Sequence, residues 1–214
     1  MTVNQEQTIG RVEPDLSFGL PREVKFCTRC VMSNQRPSST VEFKNTNKAK
    51  EVIHFDENGV CSACRFHEMK WNEIDWEERH QMLLELLDRH RSKDGSYDVI
   101  VPGSGGKDST YVSHVLKYKY GMHPLTVTWP PHMYTDIGRR NFDAWLDTGM
   151  ANITFHPNNL LHRRLTREAF LNLLHPFQPF IVGQKQVGPK AALEHGVKLI
   201  MYGESQGEAG ADMR

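Results

Sequence analysis

All four cysteines of the chain fall in two pairs of identical spacing, Cys27-Thr28-Arg29-Cys30 and, after thirty intervening residues, Cys61-Ser62-Ala63-Cys64. A two-residue gap lets both thiolates of a pair face one ion, and two such pairs complete a tetrahedral site with no open position. The expected chemistry is therefore a closed, structural metal site, with Zn2+ as the ion. Disulfides and an iron–sulfur cluster are the alternatives; nothing in the sequence suggests secretion, and the crowded cysteines of ferredoxins are missing. A second group lies further on, where Tyr97-Asp98-Val99-Ile100-Val101 breaks into Pro102-Gly103-Ser104-Gly105-Gly106-Lys107-Asp108-Ser109. Glycines let backbone N–H groups approach an anion with no Cβ in the way, and a following helix points its positive end at the same spot. A strand that feeds a helix through such a loop is a phosphate site. A ligand-free turn is the plainer alternative, but it needs neither three glycines nor two serines beside a Lys-Asp pair.

Two familiar phosphate loops are excluded by single residues. Val101 stands where a Walker A loop needs its first glycine and Asp108 where it needs Ser or Thr, and Asp108 also replaces the third glycine of the dinucleotide fingerprint. Asp108 or Ser109 is expected to cap the helix after the loop. Val112, Val115 and Leu116 supply its buried stripe, and Gly121 ends it.

The elements that must hold these groups follow from the pattern. Residues 1–25 read as a flexible arm, 26–70 as the zinc-knuckle region, 71–92 as a connector helix and 93–214 as the nucleotide domain. Between the cysteine pairs, Val52 to Phe55 should be a short strand turning at Asp56-Glu57-Asn58-Gly59. The connector carries Ile74, Met82, Leu83, Leu86 and Leu87, with Trp71 and Trp76 expected in the core. After the loop helix, strands at Leu125–Trp129, Asn152–His156 and Val197–Tyr202 alternate with helices around 141–146, 164–174 and after Pro189; Gly183 to Pro189 reads as a loop. Alternation of strand and helix implies a parallel sheet, with ligands bound beyond the carboxyl ends of its strands. Ser104 to Ser109, Thr128, Trp129, His156, Gly203 and Glu204 should meet on that rim.

Composition narrows the partners. Lysine plus arginine equal aspartate plus glutamate, 26 each over 214 residues, so no net charge draws the chain to nucleic acid or an anionic membrane. The N-terminus has no apolar signal core, and no run approaches the roughly 18 apolar residues of a membrane span; a cytoplasmic location is expected.

The string Ser104-Gly105-Gly106-Lys107-Asp108-Ser109 resembles the SGGxDS loop of the PP-loop ATP pyrophosphatases. Together with Cys27 to Met32, Phe55 to Cys64, Pro124 to Trp129, His175 to Phe180 and Gly183-Gln184-Lys185, it makes the chain from about Phe26 onward similar to the N-acetyl sugar amidotransferases of bacterial surface-polysaccharide (lipopolysaccharide) synthesis. The fold so implied is α/β, a parallel-sheet PP-loop domain (adenine nucleotide α-hydrolase-like) preceded by a small four-cysteine zinc-knuckle region. The implied activity converts a sugar acetamido group to acetamidino, with ATP cleaved to AMP and pyrophosphate. Ammonia comes from a glutaminase partner, the sugar is free or nucleotide-linked, and a homo-oligomer is compatible.

On this resemblance Ser104, Gly105, Gly106, Lys107 and Ser109 hold pyrophosphate, Asp108 reaches it through Mg2+, and Thr128 and Trp129 take the adenosine side. Lys185 and Lys190 clamp phosphate or are merely solvated. Glu204, beside Gly203, handles metal or amine or is simply a helix N-terminal acid. None of His156, His162 and His175 is assigned a catalytic role. Family members extend well beyond Tyr202. Gly203, Glu204, Glu208 and Gly210 meet their Gly-Glu-x-x-x-Glu-x-Gly pattern, whereas Ala209 and residues 211–214 depart from it, so a shortened chain is expected. The rival readings are a tRNA-modifying enzyme of thiolation or lysidine type, a non-catalytic nucleotide-binding scaffold and a zinc-ribbon interaction module. Thiolation is disfavoured because no cysteine follows Cys64 to relay sulfur.

Overall fold

The computed structural model describes residues 20–36 and 52–204. Most of the expected arm lies outside them, as do Glu208 and Gly210. The chain divides into two compact units, one reaching to Ile74 and the other starting at Asp75.

In the first unit two tight turns face each other. Phe26 and Ser33 form an antiparallel bridge, closed by Asn34, whose side chain accepts from Lys25 N–H at 3.0 Å and donates to the Glu23 carbonyl at 2.8 Å. Phe55 and Cys61 form the second bridge. Between them Asp56 accepts from the N–H groups of Val60 at 2.8 Å and Asn58 at 3.0 Å. Gly59 turns at φ 74°. The expected hairpin is there, but as bridges and not as an extended strand. Helix α1, Ser62–Asn72, begins directly after Cys61.

The expected single connector is two helices. Asp75 stops the run and caps α2, Trp76–His90, by accepting from Glu77 and Glu78 N–H. The break resets the helical phase, so a stripe counted across it does not stay on one face. Trp71 and Trp76, expected in the core, are accordingly 69% and 54% exposed. Leu83, Leu86 and Leu87 remain on the buried face of α2.

The second unit is α/β, built on a small parallel sheet. Strand β1, Val99–Pro102, pairs with β2, Pro124–Thr128, which pairs with β3, Ala151–Thr154. Alternate residues of β1 face opposite layers. Ile100 joins Val127, Val187, Ala191 and Ala192 on one side, while Val99 and Val101 join Leu87, Leu116 and Met122 on the other. Burial on both faces explains the unbroken apolar run. The expected fourth strand is reduced to one parallel bridge, Ile100 to Ile200. Ile100 uses both its N–H and its C=O on this segment, and the next ladder donor on that edge would be Pro102, which has none.

Helix α3, Lys107–His114, leaves the glycine loop and widens into a π-helical turn, Val115–Lys119, before Gly121 at φ 63°. Its cap is Gly106, with no side chain bonded to the helix end; the expected caps Asp108 and Ser109 sit inside the first turn. Helix α4, Asp136–Asp147, is capped by Thr135 and bolted to α3 by Trp145, whose indole donates to the Ser113 hydroxyl at 2.8 Å in a buried contact. Helix α5, Asn159–Leu173, is capped by Asn158. Helix α6 runs unbroken from Gln178 to Glu194 with Pro189 inside it, so the expected loop from Gly183 to Pro189 is helical. Burial wins over propensity there: Gly183, Val187, Gly188 and Ala191 are the buried face. A Cβ on Gly188 would stand 2.8 Å from Pro102.

Candidate functional site

The thiol cluster is assembled by the two turns. Cys27 and Cys30 leave the first, Cys61 caps α1, and Cys64 lies in the first turn of that helix. Thr28 holds the turns together, donating its N–H to the Gly59 carbonyl at 3.1 Å and its hydroxyl to the Asn58 carbonyl at 3.1 Å. A Cβ on Gly59 would meet the Thr28 methyl at 2.9 Å. The Cys27 and Cys64 sulfurs are 3.9 Å apart and those of Cys30 and Cys61 3.7 Å apart; all four lie within 4.8 Å of one another. Tetrahedral thiolates at a Zn–S distance of about 2.3 Å are separated by about 3.8 Å, so the four sulfurs could hold one metal ion such as zinc. All four cysteines are free, and their separations are those of ligands rather than of disulfide bonds.

The thiols are unequal. Burial raises the Cys27 thiol, but N–H donors from Cys61, Arg29 and Cys30 outweigh it and bring its pKa down to about 6. Burial and the neighbouring cysteines push Cys64 up to about 12 and also raise Cys61. Thiols bind a metal ion as thiolates, so loading the set would release protons. Arg29 pairs with Glu68 across the cluster's rim.

The second group lies in the other unit. A cavity of about 570 Å3 opens beyond the carboxyl ends of β1 and β2; its walls include Ser104, Gly106, Asp108, Ser109, Trp129, Lys185 and Glu204. The first amide donor bonded back to the loop is Thr110, to the Gly106 carbonyl at 3.1 Å. The N–H groups of Lys107, Asp108 and Ser109 precede the helical ladder, and such a start favours an anion. Ser109 is buried, its hydroxyl donating to the Gly106 carbonyl at 3.2 Å. Lys185 lies on the wall with no ion-pair partner among the described residues. Pro189, four residues on in α6, offers no N–H to the Lys185 carbonyl.

Other predicted residues are placed differently. Lys107 is 87% exposed and lies outside the cavity walls, its ammonium on Asp108 at 2.6 Å. Thr128 is fully buried, its hydroxyl accepting from the Asn152 amide at 3.0 Å. Lys190 covers the Phe155 ring at 4.5 Å, and His156 does not line the cavity. Gly105, at φ 80°, presses the loop onto α4, where a Cβ would stand 2.7 Å from the Phe142 Cα. Gly203 abuts the start of α3, with Asp108 carbonyl carbon 2.7 Å from a would-be Cβ. Both glycines bring chain segments together.

Trp129 is the most constrained wall residue. Its indole stacks on Phe155, centroids 5.3 Å apart, and lies so close over Gly183 that a Cβ there would come within 2.2 Å of the ring. Its Nε1 is buried without a partner among the described residues. Gln184, Val187 and Tyr202 also line the cavity; Gln184 lies inside the Gly183-Gln184-Lys185 segment but was given no role, and Val187 and Tyr202 were not assigned to the site. For Tyr202 the available signal was adjacency to Gly203 at a strand's carboxyl end.

No family model matches the chain. It is similar to an uncharacterized protein, MJ1599, of Methanocaldococcus jannaschii, at 30% identity over 83 residues; the match spans 39% of this chain and 29% of that protein. Among the described residues no helix is long and apolar enough to cross a membrane.

Proposed function

We propose that the chain is a PP-loop, ATP-dependent amidotransferase of the N-acetyl sugar type, with zinc as the structural ion of the four thiols. The observation that carries the reading is the position of Ser104 to Ser109. The loop joins a parallel strand to a helix start and borders a cavity that also receives an aromatic ring, a lysine and a carboxylate from three other segments. A volume of about 570 Å3 falls within the roughly 300–1,000 Å3 of clefts that enclose ligands of nucleotide size.

An amide does not exchange oxygen for nitrogen unaided, because oxide does not leave. In the proposed reaction the acetamido oxygen attacks the α-phosphorus of ATP, the α–β bond breaks and pyrophosphate departs. Ammonia then adds to the imidate carbon, and AMP leaves with the former amide oxygen. The chain's residues position and neutralise. Helix-start amides and the Ser104 hydroxyl hold the pyrophosphate end, Lys185 offsets its charge, and Trp129 bounds the adenosine side. Mg2+ held by Asp108 would neutralise phosphate charge, with the Lys107 ammonium displaced. Glu204 stands at the cavity wall to accept a proton from the incoming amine. All four cysteines sit in the thiol cluster, leaving none in this sequence as a glutaminase nucleophile, and the proposed source of ammonia is a glutaminase partner.

Incubation with ATP, Mg2+, ammonium and a panel of acetamido sugars tests the reading. AMP, pyrophosphate and a sugar product about one mass unit lighter, O exchanged for NH, are expected. ADP and phosphate as products would overturn the adenylation step.

A further inference from the structure

A second cleft, of about 260 Å3, adjoins the glycine loop on its α4 side and shares Ser104 and Gly106 with the larger cavity. Its other walls are Gly105, Pro131, Met133, Tyr134, Thr135, Gly138, Asn141 and Phe180. None of these described residues carries a charged side chain. That contrasts with the larger cavity, where Asp108, Lys185 and Glu204 all reach the wall. With no cationic side chain on its wall, this cleft offers an anion less than the larger cavity, where Lys185 adds a positive charge. An uncharged polar ligand with an apolar face suits the lining instead.

The polar groups are available to such a ligand. The Tyr134 hydroxyl and the Asn141 amide have no hydrogen-bond partner among the described residues, and burial raises the pKa of Tyr134, keeping its hydroxyl a donor. Thr135 Oγ1 accepts from Gly138 N–H at 3.0 Å, which leaves its own proton to donate. The aromatic wall is braced before any ligand arrives. Arg139 stacks on Tyr134, its guanidinium 5.8 Å from the ring centroid, and is itself held by Asp143 at 2.9 Å; Phe142 lies against the other part of the ring, centroids 6.0 Å apart. Phe180, in the first turn of α6, supplies the second ring.

We infer that this cleft binds the acceptor of the proposed reaction: one pyranose ring bearing an acetamido group, its C–H face on Tyr134 or Phe180 and its hydroxyls on Tyr134, Thr135 and Asn141. The inference rests on the amidotransferase reading. The size fits a single ring, being smaller than the roughly 300–1,000 Å3 of clefts for drug-sized ligands. Sharing Ser104 and Gly106 places an acceptor in this cleft beside the loop that would hold ATP. A nucleotide carried on the sugar would have to project out of the cleft, since no cation lines it.

The test separates this placement from the reading beneath it. Binding of free N-acetylhexosamines and of their uridine-diphosphate conjugates is measured by saturation-transfer NMR, and ATP-Mg2+ binding by calorimetry. Both use the full chain as wild type and as Asn141→Ala, Phe180→Ala and Tyr134→Phe. Sugar affinity is expected to fall about tenfold in the two alanine variants and about threefold in Tyr134→Phe, with ATP affinity within about twofold of wild type; the retained ATP binding also shows that the variants are folded. Should wild type bind a sugar and both alanine variants bind it equally well, the placement is wrong and the amidotransferase reading stands. Loss of ATP binding in folded alanine variants would make the cleft part of the nucleotide site and overturn the proposal as well. If wild type binds ATP but no acetamido sugar, free or conjugated, both the sugar reading and this placement fall.

Discussion

The thiol cluster and the glycine-loop rim are built on opposite plans. Four side chains of one type, from two short turns, converge within 4.8 Å. The rim draws its walls from β1, the loop, β2, α6 and the segment after Ile200, and most of its residue types are common ones. The cluster has almost no tolerance, because each thiol is a quarter of the site. The rim distributes its work, and its weak points are the places where backbone must pass close to backbone or to a fixed ring.

The largest effect should come from breaking the cluster while sparing the rim. Cys61→Ser is expected to abolish stoichiometric metal, read by elemental analysis, and to remove the cooperative unfolding of the first unit. ATP affinity by calorimetry should stay within about twofold, because the rim lies in a different compact unit. A parallel collapse of ATP binding would mean that the two regions are energetically one. Iron in place of zinc would correct the choice of ion while leaving the four ligands.

Next in size is the converse experiment. Gly183→Ala puts a methyl where the Trp129 indole lies, and the ring, stacked on Phe155, has little room to yield. Overpacking of this kind costs about 1–3 kcal/mol, and the melting midpoint should fall by about 2–4 °C per kcal/mol. ATP affinity should drop about tenfold as Trp129 is displaced. Metal content should not change. Gly106→Ala sharpens the point, since nothing lies within 4 Å of its would-be Cβ: only its preference as the α3 cap is lost, at about 1 kcal/mol or less, so a tenfold loss of ATP affinity in the folded variant reports the ligand and not the fold.

Smaller still is Asp108→Asn. The Mg2+-dependent part of ATP binding is expected to weaken about tenfold, with little change when Mg2+ is absent. Lys185→Ala should cost a few-fold in ATP affinity and less at high salt. Equal affinities in all conditions would remove both residues from the phosphate end.

The smallest effect is a titration. Burial, and then His132 beside it, lowers the pKa of His162, whose Nε2 is buried without a partner among the described residues. The folded state therefore binds this proton less readily than the unfolded chain. Stability from neutral His162 is complete above the unfolded value near 6.5 and declines as pH falls from there through the lowered folded value. His162→Gln should flatten that part of the melting profile, and an unchanged slope below about pH 6.5 would show that the group does not contribute.

The sequence alone specified the four-cysteine cluster that could hold a metal ion, because cysteines used only in paired turns have few other purposes, and it specified the glycine loop, because strand, glycines and helix start are local in the chain. Parallel pairing of β1, β2 and β3 was legible from apolar runs alternating with helical stretches. Tertiary structure decided what local pattern leaves open. A helix with glycines and a proline inside survives at Gly183 to Pro189 because its small residues let it lie close on the sheet. Thr128 turns inward to Asn152, and Lys190 goes to Phe155. The last strand is cut to one bridge by a proline on its neighbour, not by its own residues. The cavity's far wall and the uncharged cleft beside it join residues many positions apart, and proximity of that kind is set by packing, for which no spacing rule exists.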